Sequence, residues 1–172
     1  MRDKKKNLSV SGESGLDSLD NCKIAVITSE WNQAITYSMR DACVQELYQY
    51  GCSEDDIISV TVPGAFELPG AAKMLLANKK LDAVICIGCV IKGETKHDEY
   101  ISNAVANGII NLSIVSGKPV IFGVLTPNDM QQAIDRAGGK YGNKGIEAAH
   151  TAIKMLNLAK EIKHGDKKQI GF

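Results

Sequence analysis

The sequence predicts an α/β fold: one three-layer domain with a four-stranded parallel sheet and helices on both faces. Three observations carry that prediction. Short, continuously apolar runs alternate with longer segments whose apolar residues recur at helical spacing. The apolar residues are mostly aliphatic, since 44% of the 172 residues are hydrophobic and only 5% aromatic, which suits strands buried on both sides. No repeat or linker interrupts the alternation, and a chain of this length fits a single core.

Residues 1–21 are polar, rich in Ser, Gly and Asp and without period, and read as a flexible extension. The domain is expected over residues 22–163. Lys23–Thr28 (KIAVIT) is the first strand. After the polar turn SEWN, Ile35, Met39, Ala42, Cys43 and Leu47 mark a helix, which Gly51 stops. Ile57–Val62 is the second strand, closed by Pro63-Gly64, and Leu68, Ala71, Ala72, Leu75 and Leu76 mark the second helix. Ala83–Ile91 is a long third strand, followed by a helix through Ile101, Ala104, Val105, Ile109 and Leu112. Val120–Leu125 is the fourth strand. Behind it, Thr126 is expected to cap a short helix, with Pro127 in its first position and Asp129 completing a capping box. That helix ends near Gly138-Gly139. Ile146, Ala149, Ala152, Ile153 and Leu156 define the last helix, and residues 164–172 form a polar tail.

Charge and cysteine content exclude several classes of function. Lys plus Arg and Asp plus Glu both number 20, so no net charge attracts nucleic acid or a membrane surface. No run approaches the roughly 18 apolar residues of a membrane span. Five cysteines without a secretory signal fit free thiols in a reducing cytoplasm. Cys86 and Cys89 have C-x-x-C spacing but lie in one strand, where residues three apart point to opposite faces and cannot share a metal. Gly88 to Thr95 has the glycine spacing of a phosphate-binding P-loop. Glu94, however, stands where that loop needs Lys, and a carboxylate there would repel a triphosphate. Neither a metal site at these two cysteines nor a nucleotide-hydrolysing loop is therefore expected.

In parallel sheets, ligands bind beyond the carboxyl ends of the strands. Those ends carry Trp31, the only tryptophan; the run Val62-Pro63-Gly64-Ala65-Phe66-Glu67; the run Ile91 to His97; and Phe122 with Thr126. Each feature also has a plain structural role. Trp31 can cover a sheet edge, and His97 can be an idle imidazole in a polar loop. Arg136 and Glu147 can favour the dipoles of their helix ends.

Three blocks, VPGAFELP, GCVIKGETKHDEY and FGVLTPNDMQQAIDRAGGKYGNKGIEAA, resemble in order and spacing the signature blocks of the lumazine synthase family. The likeness covers roughly residues 22–160. It implies a flavodoxin-like domain and a cofactor-free condensation of 5-amino-6-(D-ribitylamino)uracil with 3,4-dihydroxy-2-butanone 4-phosphate. Carried onto this chain, Trp31 stacks on the pyrimidine, Ala65, Phe66 and Glu67 hold the ribityl chain, and Cys89, Val90 and Ile91 offer backbone groups to the pyrimidine edge. Glu94 and Thr95 line the phosphate end, and His97 transfers protons. Phe122 and Arg136 come from a neighbouring subunit, with Lys144 and Glu147 close by. Asp98 departs from the pattern where an aromatic residue is frequent, and Gly139 where Thr is common.

The resemblance further implies homopentamers with shared sites. Because the GGKYGNKG connection carries no insertion, twelve pentamers in a sixty-subunit shell are expected, with riboflavin synthase as a possible partner. The competing readings are a non-catalytic flavin-binding module and a cage-forming homologue without chemistry.

Overall fold

Parallel pairing organises the chain. The structure, a computed structural model, describes residues 16–165. Along it run β1 (Ile24–Ser29), α1 (Gln33–Gln49), β2 (Ile57–Val62), α2 (Leu68–Asn78), β3 (Ala83–Cys89), α3 (His97–Ser116), β4 (Val120–Leu125) and α4 (Met130–Arg136). A small antiparallel pair, β5 (Ala137–Gly139) and β6 (Gly142–Asn143), precedes α5 (Lys144–Gly165). The main sheet has the order β2-β1-β3-β4, with every pairing parallel. That is the expected four-stranded α/β domain.

The alternation of side chains along each strand divides the core in two. Ile24, Val26, Ile85, Ile87, Ile121 and Leu125 face the helices α1 and α5, while Ala25, Ile27, Val84, Cys86, Val120 and Val124 face α2 and α3. Each helix buries one stripe, as in α1, where Ile35, Met39, Cys43 and Leu47 recur every four residues. The helix pair α1–α5 closes tightly: a Cβ on Gly145 would sit 1.8 Å from the Met39 carbonyl oxygen, so only glycine permits this crossing.

Two expectations require correction. Of the supposed extension 1–21, residues 16–21 belong to the fold. Leu19 is 0% exposed, its N–H donates to the Tyr50 carbonyl at 2.7 Å, and Leu16 packs against the same core. The polar residues around these two leucines mask them in the sequence. Residues 1–15 lie outside the described residues, as does the expected polar tail beyond Gly165. The cap of α4 is Asp129, whose side chain accepts the Gln132 N–H at 2.8 Å, and not Thr126. The Pro127 carbonyl instead accepts the Lys92 N–H at 2.9 Å, which draws this stretch into an extended loop before the helix begins.

Candidate active site

In the order β2-β1-β3-β4 the chain leaves β1 in one direction across the sheet and β3 in the other. The two neighbours therefore diverge and open a crevice beyond their carboxyl ends. A cavity of ≈ 380 Å³ occupies that crevice. Trp31 and Asn32 line it from the turn after β1, Ala65 and Phe66 from the turn after β2, and Cys89, Val90, Ile91, Thr95, His97 and Asp98 from the segment after β3.

Hydrogen bonds of the backbone hold these turns in place. The Glu30 and Trp31 N–H groups donate to the Val62 and Pro63 carbonyls at 2.8 and 3.1 Å, which continues the β1–β2 ladder past its end. The indole then lies against Gly64, where a Cβ would meet it at 3.1 Å. Phe66 stands in a 3₁₀ turn, Ala65–Glu67, and Glu67 closes that turn by accepting the Gly64 N–H on Oε2 at 3.0 Å. Trp31 and Phe66 are 67% and 56% exposed. Two large aromatic faces bared beside one cavity are surfaces made to be covered.

Beyond β3, the Val90 N–H donates to the Leu125 carbonyl at 2.8 Å, so this lip follows β4 although the strand itself ends at Cys89. His97 is the first residue of α3, not a loop residue as expected, and its imidazole is exposed. The Thr95 hydroxyl accepts the His97 N–H at 3.4 Å, and Asp98 Oδ1 accepts the Gly93 N–H at 3.3 Å. The Gly93 N–H is thus already met by a carboxylate. Glu94 is exposed and does not line the cavity. Burial pushes the Cys89 thiol up to about 11, so it stays protonated and is no nucleophile near neutral pH.

The remaining expected residues gather elsewhere in the same chain. Arg136 Nη2 contacts both oxygens of Glu147, at 3.0 and 3.3 Å, and Lys144 Nζ reaches Oε2 at 3.0 Å. Two cations thus share one carboxylate. Phe122 and Lys144 line a second cavity of ≈ 300 Å³ along the outer edge of β4, between α3 and α5, which has no residue in common with the first. Another cavity, of ≈ 750 Å³, follows β2 and α2 and is lined mostly by apolar side chains; Glu67 is its only ionisable lining residue. Of these three cavities, the one at the crevice is lined by an imidazole. Cys86 and Cys89 face opposite cores, as the strand reading requires, and all five cysteines are free.

A family profile described as 6,7-dimethyl-8-ribityllumazine synthase matches residues 21–160. The chain belongs to this family. It is 49% identical over 152 residues to the 6,7-dimethyl-8-ribityllumazine synthase of Cytophaga hutchinsonii, covering 88% of this chain and 94% of the relative. The enzyme of the same name from Bacteroides fragilis is 47% identical over 136 residues, covering 79% and 95%. That of Campylobacter jejuni is 45% identical over 153 residues, covering 89% and 98%. Membership places the chain among the transferases of riboflavin biosynthesis. Among the described residues no helix is long and apolar enough to cross a membrane.

Lumazine synthase blocks alone did not reveal every residue that builds the site. Asn32, with a left-handed backbone at φ 61, caps α1 and donates from Nδ2 to the Cys89 carbonyl at 3.1 Å. Its only signal in the sequence is an Asn directly before a helical run. Asp98 departs from the family pattern, and nothing in the sequence marks it as the partner of Gly93. Away from the cavity, His150, buried in α5, meets Glu46 of α1 at 2.5 Å, a pair separated by 104 residues that no local pattern announces.

Proposed function

We propose that this chain condenses 5-amino-6-(D-ribitylamino)uracil with 3,4-dihydroxy-2-butanone 4-phosphate to 6,7-dimethyl-8-ribityllumazine, releasing phosphate and water without a cofactor. The observation that carries the proposal is the single cavity joining Trp31, Ala65, Phe66, the Cys89–Ile91 backbone, Thr95 and His97. In this reading Trp31 stacks on the pyrimidine and Cys89, Val90 and Ile91 bond its edge. Ala65 and Phe66 hold the ribityl chain, and Glu67 adds the carboxylate oxygen not committed to Gly64. Thr95 and Glu94 flank the phosphate end.

The reaction joins an amine to a ketone, expels phosphate and closes a ring, each step needing a proton moved near neutral pH. An imidazole, with an ordinary pKa of about 6.5, suits that task, and His97 is the one at the cavity. The leaving phosphate needs a permanently charged fork of donors, which the Arg136 guanidinium supplies. Arg136 and Phe122 act, in this proposal, from an adjoining subunit, with Lys144 and Glu147 beside them. Support comes from their place in the single chain, where Phe122 and Lys144 line a cavity separate from that of His97. Large apolar side chains exposed near that edge, Ile110, Ile114 and Met155, also favour assembly.

We further propose pentamers, twelve of them in a shell, because the connection between α4 and α5 is only a tight β5–β6 hairpin. Mixing the two named substrates with the protein and following lumazine fluorescence tests the reaction. A yellow protein with tightly bound flavin and no product would refute the enzymatic proposal in favour of a binding module. A mass by light scattering near five subunits would remove the shell and leave the pentamer.

A further inference from the structure

The turn between β1 and α1 pivots on Asn32, which no role above uses. The Val90 N–H points at β4, where it donates to the Leu125 carbonyl. A trans peptide sends the Cys89 carbonyl the opposite way, toward β1. There it finds no strand, because β1 ends at Ser29 and the last β1–β3 pair is Thr28 with Ile87. The Asn32 side-chain amide supplies the missing donor at 3.1 Å. On its other flank the same turn is pinned to β2 by the Glu30 and Trp31 N–H groups. Asn32 also has to adopt φ 61, ψ 45, which asparagine tolerates and most side chains resist. Glycine could take the backbone shape but not the bond, and alanine would lose both.

We infer that Asn32 is the positioning residue for the pyrimidine half of the site: its amide ties the Trp31 turn to the Cys89 carbonyl. The stacking face and the hydrogen-bonding edge are thereby set at a fixed spacing before substrate arrives. This rests on the proposed condensation. Its benefit is pre-organisation, since a loose indole would have to be ordered at each binding event.

Trp31 is the only tryptophan, so fluorescence excited at wavelengths that the five tyrosines do not absorb reports this turn. Asn32→Gly keeps the backbone conformation and removes the bond. Asn32→Asp keeps shape and size but turns a carboxylate toward a carbonyl oxygen, and it decides the matter if the glycine variant does not fold. In the unliganded variants we expect lower Trp31 anisotropy and stronger acrylamide quenching. The KM for 5-amino-6-(D-ribitylamino)uracil should rise about tenfold, the factor equal to about 1.4 kcal/mol, with the KM for the phosphate substrate unmoved. Unchanged anisotropy overturns the inference whatever the kinetics show. Equal rises in both KM values also overturn it, because they mark a merely structural clip. If the unaltered protein makes no lumazine, the functional proposal fails separately, and the anisotropy still decides whether Asn32 orders Trp31.

Discussion

At the amino end of the sheet charged side chains pair with one another, whereas at the carboxyl end aromatic rings and an imidazole stand exposed around a cavity. Below β1 and β3, Lys23 and Asp82 exchange bonds, Lys23 N–H to Asp82 Oδ2 at 2.8 Å and Asp82 N–H to the Lys23 carbonyl at 2.7 Å. Lys23 Nζ then reaches Asp56 Oδ1 at 2.7 Å, and Ser53 saturates the other Asp56 oxygen with its N–H and hydroxyl. Above the same strands stand a left-handed asparagine, two bared aromatic rings and an exposed imidazole. One end pairs its charges within the chain, and the other bares two rings and an imidazole beside a cavity. The pairing that seals the fold and the site proposed for function thus occupy opposite ends of one sheet.

The largest expected effect belongs to the open end. His97→Ala should lower turnover by ~10²–10⁴-fold. Thermal stability should stay close to that of the parent, because the imidazole is exposed. Residual activity is expected because holding two substrates in register can supply roughly 7–11 kcal/mol of the barrier. Steady-state kinetics with a melting curve checks both halves. Total loss of activity in a folded, substrate-binding variant would break the argument from proximity.

The closed end should respond in the reverse sense. Leu19→Ala removes a side chain that is fully buried beneath the α1–β2 connection and should cost about 2–5 kcal/mol in urea unfolding. Activity per folded molecule should not change. A smaller effect separates the two candidate caps of α4: Asp129→Ala should cost about 1 kcal/mol and Thr126→Ala close to nothing.

These residues also mark how far the sequence could be read. β2 and β4 have the bounds that their apolar runs predict. The cavity at the crevice was legible because the carboxyl-end rule needs only parallel strands, and Trp31, Phe66 and His97 all line it. Three features were not legible, and each depends on contacts distant in sequence. Leu19 is covered by α1 and its neighbours, not by its own segment. The Asn32 amide matters only because β1 stops two residues short of Cys89. His150 and Glu46 meet only once α5 lies along α1. A fourth, the cap of α4, was misread because Thr126 and Asp129 are both good caps, and the choice was made by Lys92, a residue of another loop.

The smallest expected effect tests whether the closed end depends on charge. Bonds from Lys23 and Ser53 hold the Asp56 carboxyl well below its ordinary value of 3.8, and the same pairing raises the Lys23 ammonium above 10.5. A carboxyl whose pKa is lower folded than unfolded stabilises above the unfolded value and loses that contribution as pH falls through the folded one. The ammonium, raised in the folded state, contributes fully below 10.5 and loses its share as pH climbs past that value. The pair therefore works across the neutral range and fails at both extremes. Asp56→Asn should accordingly melt slightly below the parent near pH 7, and the gap should narrow as the pH drops below 3.8 or rises beyond 10.5. Both groups sit at the surface, where salt screens the attraction, so high ionic strength should shrink the neutral-pH gap as well. A gap that is constant over the whole pH range would show that Asp56 acts through the Ser53 turn alone, and that charge is not what seals the amino end.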